Sequence, residues 1–127
     1  MTTDERSKLA VLEQMADAFN GHDLDAIMAL FADDCVFESP RGADPWGTRF
    51  VGRSEVREGL AARFRGIPDV HYGGARHFVA GNRGASEWTL TGTSTEDVRI
   101  EVRGCDLWTF DGDRVAVKDS YWKIVAT

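Results

Sequence analysis

The hydrophobic pattern changes period once along the chain. Residues 4–20 carry Leu9, Leu12, Met15, Ala16 and Phe19 at helical spacing, with acidic and polar residues between them, which predicts an amphipathic helix. "NGHD" interrupts it, and Asp23 suits the N-cap of a second helix whose buried face is Leu24, Ile27, Leu30 and Phe31. "DDCVFES" reads as a short strand, with Cys35, Phe37 and Ser39 on one face and Val36 and Glu38 on the other. The prolines and glycines of "SPRGADPWGTRFVG" predict a loop. A third helix is expected from about Ser54, with Val56, Leu60 and Phe64 on one face and Glu55 near its positive end. After "GIPD" the period becomes two. Strands are predicted at about 70–80, 85–95, 98–110 and 114–125, joined by "AGNRG", a turn at "TED", and "DGD".

Helices followed by a run of antiparallel strands is the α+β order. Strands this long must twist and curl, so the expected shape is a cone: a curled antiparallel or mixed sheet, closed by three helices around an apolar pocket. With 127 residues, the chain suits one domain spanning 1–127. A net charge of −6 weighs against a nucleic-acid partner. The absence of a long apolar run weighs against a membrane partner, and the polar start "MTTDERSKL" points to the cytoplasm. Cys35 and Cys105 read as small residues of the core or sheet, and His22, His71 and His77 are too scattered for a metal site. Nucleotide-binding motifs and a nucleophile elbow are missing, so any chemistry is expected to be free of cofactor and metal.

One position breaks the alternation. Val98, Ile100, Val102, Gly104, Asp106, Trp108 and Phe110 share a face, which puts a carboxylate in an apolar register. A β-bulge at Gly104 would reverse that register and turn Asp106 outward; three large residues at inward positions favour the unbroken one. Facing inward, Asp106 serves either chemistry or a buried polar network with Ser39, Tyr121 or Lys118. The last strand is ambiguous. Lys118, Ser120 and Trp122 share one face, yet Val115 and Val117 argue for the opposite parity, which leaves Asp119 as the alternative acid. A lysine beside Asp106 would keep it ionised and make it a base instead of a hydrogen-bond donor.

Three phrases, "FNGHDLDAIMALFADDCVFESPRG", "GTRFVGRSEVREGL" and "FDGDRVAVKDSYWKI", resemble the nuclear transport factor 2-like superfamily, in its SnoaL-like polyketide cyclase and ketosteroid isomerase branch. The resemblance implies a cone with a deep apolar pocket and a homodimer through the outer sheet face. Its members range from isomerases, cyclases, epoxide hydrolases and dehydratases to proteins that only bind or scaffold. Set against the isomerases, Met15 stands where they carry a tyrosine, Ser39 where they carry the catalytic base, and Asp106 where they carry the hydrogen-bonding acid. Set against the epoxide hydrolases, Ser120 replaces the strand aspartate, with Asp119 beside it. For the cyclases, an aspartate from a late strand is implied, and Asp106 and Asp119 both qualify.

The expected function is therefore an enzyme of cyclase, isomerase or dehydratase type, acting on an apolar carbonyl-containing molecule with Asp106 or Asp119 as acid/base. Met15, Phe19, Ser39, Trp46, Phe64, Trp88, Leu90, Trp108, Lys118, Ser120 and Trp122 are the expected substrate contacts, and Arg41 and Trp46 stand near the pocket mouth. A binding protein with the same pocket is the alternative, and a scaffold with a filled interior is a third.

Overall fold

A computed structural model describes residues 1–126; Thr127, the end of the expected domain 1–127, lies outside the described residues. Helix α1 (Thr3–Asn20) opens with a capping box. The Thr2 hydroxyl accepts the Glu5 N–H at 3.1 Å, and the Glu5 carboxylate accepts the Thr2 N–H at 2.9 Å. Its buried stripe includes Leu12, Met15 and Phe19. Helix α2 (Leu24–Ala29) starts at Asp23, whose carboxylate accepts the Ala26 N–H at 3.0 Å.

Phe31, expected on that helix, instead begins strand β1 (Phe31–Glu38). The Leu30 carbonyl accepts the Val115 N–H at 2.9 Å, and Arg53 donates to the carbonyls of Met28 and Phe31, so the chain leaves the helix at Leu30. The expected loop is also shorter. It contains strand β2 (Arg49–Val51), antiparallel to β1, where Phe50 stacks on Phe37 at 5.5 Å. Gly47, at φ +78°, lets the loop close on itself, since a Cβ there would lie 1.9 Å from the Ser39 carbonyl oxygen.

Helix α3 (Arg53–Gly66) leads into β3 (His71–Ala80), β4 (Arg83–Thr93), β5 (Arg99–Asp111) and β6 (Arg114–Trp122). The curled, unclosed sheet runs β2-β1-β6-β5-β4-β3, antiparallel except where β1 lies parallel to β6. The helices close one face of it into an α+β cone. Buried side chains alternate along β4 (Ser86, Trp88, Leu90) and β5 (Val102, Asp106, Trp108, Phe110).

The β4–β5 register is continuous through Gly104, which is opposite Trp88. Gly104 is not a bulge but a gap for an indole: a Cβ there would approach the Trp88 ring to 2.6 Å and the Tyr121 carbonyl oxygen to 2.5 Å. The irregularity lies elsewhere. Thr109 pairs with Val117 and Phe110 with Val115, so Ala116 is an extra residue in β6. That single insertion lets Val115 and Lys118 both face inward, and it removes the conflict of parity in the last strand. Gly104→Ala is expected to destabilise the fold by about 1–3 kcal/mol through overpacking against Trp88, read as a lower midpoint in urea unfolding at unchanged slope.

Candidate active site

Four strand residues meet at the base of the cone. Asp106 and Lys118 are each 4% exposed and stand on neighbouring strands, Lys118 two residues along from Ser120, the register partner of Asp106. The Lys118 ammonium donates to Asp106 Oδ1 at 2.6 Å and to the Ser120 hydroxyl at 2.8 Å. The Ser120 hydroxyl donates to the same carboxylate oxygen. Trp88 Nε1–H donates to the other oxygen, Oδ2, at 2.9 Å. Asp106 is thus an acceptor bound to a cation.

The ammonium also sits among aromatic faces, 5.2 Å from the Phe19 ring centroid, 5.1 Å from Phe37 and 5.4 Å from Trp108. Burial lowers the Lys118 pKa, and the Asp106 charge opposes that fall. Among the described residues, no buried side-chain nitrogen or oxygen lacks a hydrogen-bond partner.

A second polar chain lies beside the first. Trp108 Nε1–H donates to Ser86 Oγ at 2.9 Å, and His77 Nδ1 lies 2.7 Å from that oxygen. Burial lowers the His77 pKa, which favours the neutral imidazole. Ser86 and His77 are opposite each other across the β3–β4 hairpin. Sequence reasoning weighed His77 only as a metal ligand and passed over Ser86. The signal was present, because a two-residue turn at Gly81–Asn82 pairs Ala80 with Arg83 and so brings His77 to Ser86.

Met15, Phe19, Trp88, Trp108, Asp106 and Lys118 surround an inner cavity of about 30 Å³, which His77 and Ser86 also line. Aromatic side chains fill the cone, and the remaining space suits one or two waters or a single functional group. A neck of about 10 Å³, bordered also by Ser120 and Trp122, shares Phe19, Tyr72, Trp88 and Lys118 with the inner cavity, and Phe37, Pro40 and Arg63 with an outer vestibule of about 420 Å³. Ser39 and Arg41 stand in that vestibule, the Ser39 hydroxyl donating to the Arg41 carbonyl at 2.9 Å.

The other expected contacts are placed elsewhere. Leu90 is fully buried with Ile67, Val70 and Val102 in a separate part of the core. Phe64 packs on Phe19 and His22. Trp46 is 43% exposed, under the Arg49 guanidinium. Asp119 points from the opposite face of β6, where its carboxylate accepts the Tyr121 hydroxyl at 3.0 Å. It shares no cavity with Asp106, because strand alternation sends neighbours to opposite faces. Among the described residues, no three of His, Cys, Asp and Glu are gathered as metal ligands.

A mixed, helix-capped sheet with polar residues facing into its concave side defines an NTF2-like α+β protein. Residues 12–118 match the SnoaL-like domain family, and the chain belongs to that family. Solved structures share the fold. An NTF2-like protein of unknown function from Mesorhizobium loti superposes with a TM-score of 0.82 at 25% identity, over 98% of this chain and 97% of that one. A protein from Xanthomonas campestris pv. campestris, proposed to be a polyketide cyclase, gives 0.84 at 15% identity over 95% and 93%. TerC, co-crystallised with polyporic acid, gives 0.79 at 16% identity over 92% of each chain.

Breaking the Lys118–Asp106 pair leaves a buried charge alone. Lys118→Met is expected to destabilise the protein by about 3–5 kcal/mol. The double variant Lys118→Met/Asp106→Leu is expected to recover more than half of that loss, which denaturant unfolding of the two variants measures directly.

Proposed function

We propose that this protein is a cofactor-free enzyme that removes a proton next to a carbonyl, the step shared by isomerases, cyclases and dehydratases. The observation that carries the reading is the buried Lys118–Asp106 pair bordering a cavity of one functional group's size. A carbonyl oxygen seated there accepts a hydrogen bond from Lys118. As a C–H proton passes to Asp106 Oδ2, which holds only the Trp88 bond, the C–H electron pair forms the carbon–carbon double bond and the carbonyl π pair moves onto the substrate's carbonyl oxygen. The ammonium stabilises the resulting enolate in a buried site. The proton then returns to another carbon of the enolate; or the enolate carbon adds to a second carbonyl of the substrate, whose oxygen takes the proton from Asp106; or a β-hydroxyl leaves as water with that proton.

The reading includes a homodimer through the outer sheet face, where Phe78 and Tyr121 are about half exposed. The free thiols of Cys35 and Cys105 suit the cytoplasm. A non-catalytic binding protein is the second reading, favoured by the smallness of the inner cavity and by the complete hydrogen bonding around Asp106.

The test is deuterium exchange into a panel of aryl ketones bearing α-hydrogens, followed by mass spectrometry in D2O. Accelerated exchange of at least one ketone is expected, falling about 100-fold or more in Asp106→Asn. A ketone that binds saturably yet exchanges at the buffer rate would establish the binding reading instead.

A further inference from the structure

Helix α3 carries four arginines, and three have evident partners. Arg53 donates to backbone carbonyls at 2.9 Å, Arg57 pairs with Asp25 at 2.6 Å, and Arg65 pairs with Glu58 at 2.6 Å. Arg63 has no carboxylate within ion-pair distance among the described residues. Its guanidinium stacks on Trp122 at 4.3 Å from the ring centroid and lies against the Tyr72 hydroxyl, half-buried, where loss of water lowers its pKa. A cation so placed has been partly desolvated without a counter-charge.

Arg63 borders both the neck and the outer vestibule, and Arg41 lines the vestibule from the loop. No acidic residue lines either space, although the whole chain carries a net charge of −6. Phe37, Phe50 and Pro40 make the same vestibule partly apolar. Two unpaired guanidinium groups beside an apolar wall match a carboxylate attached to an aromatic or aliphatic body. The volumes agree with that division. The inner cavity accepts one functional group, whereas a vestibule of about 420 Å³ accommodates the body of a small molecule.

We propose that the vestibule binds the carboxylate of a small apolar acid, held by Arg63 and Arg41, with its carbonyl directed through the neck to Lys118. The substrate class is then a keto acid or an acyl compound with a free carboxylate. The proposal rests on the proton-transfer reading for its inner half; the anion site itself stands on the arginines.

The probes are 2-naphthoate and its uncharged counterpart 2-naphthamide, each titrated by calorimetry. Naphthoate is expected to bind about tenfold or more tightly than the amide, with a preference that shrinks as salt rises. Arg63→Gln is expected to weaken naphthoate about tenfold or more and the amide far less, so that the preference disappears. The exposed-loop variant Arg41→Gln, which does not disturb the core, is expected to reduce it. Equal affinity for the two probes, parallel loss of both in the arginine variants, or saturable binding of neither would overturn the proposal. Because the readout is binding, carboxylate preference without ketone exchange would sink only the proton-transfer reading. Exchange without preference would sink only the vestibule.

Discussion

The interior of this protein is organised around two opposite charges that have left water. Burying an isolated ammonium or carboxylate costs several kcal/mol, so Lys118 and Asp106 are tolerable only as a close pair with every remaining donor and acceptor engaged. Ser120, Trp88 and the faces of Phe19, Phe37 and Trp108 supply those partners. Each partner in turn constrains the backbone. Trp88 reaches Asp106 across a position that must be glycine, Gly104. Lys118 faces inward because Ala116 inserts an extra residue after Val115 has already filled the core.

That arrangement divides the concave side into regions of different chemistry. At the base, a cation and a carboxylate border a cavity too small for a whole ligand. Outside the neck, a wider space offers guanidinium groups and aromatic walls. A molecule using both must be polar at two points and apolar between them. Membership of the SnoaL-like family fits such a division without selecting a reaction, since the fold supports many.

Much of the fold was legible because periodicity reports burial. The α+β order, the cone, and the inward face of β5 followed from the alternation of Val102, Asp106, Trp108 and Phe110. What escaped depended on contacts between distant segments. Phe31 reads as helical until the Val115 N–H captures the Leu30 carbonyl, and β2 is a strand only because β1 supplies its partner. The β6 parity was undecidable from sequence, since a one-residue bulge at Ala116 leaves no compositional mark. Tryptophans at period two showed which side chains face inward, not that their rings would fill the space between them. Leu90 and Trp108 share the parity of a lining residue, yet only Trp108 reaches the inner cavity.

The ion pair itself is the most direct point of attack. Nitrogen-15 NMR of the Lys118 side chain, followed as pH is raised, reports its ionisation. A midpoint below the ordinary lysine value of about 10.4, shifting lower again in Asp106→Asn, is expected of a buried ammonium stabilised by that carboxylate. An ordinary midpoint, unmoved by the Asp106 substitution, would show that the two groups are not paired in the interior and would contradict the organisation described for the site.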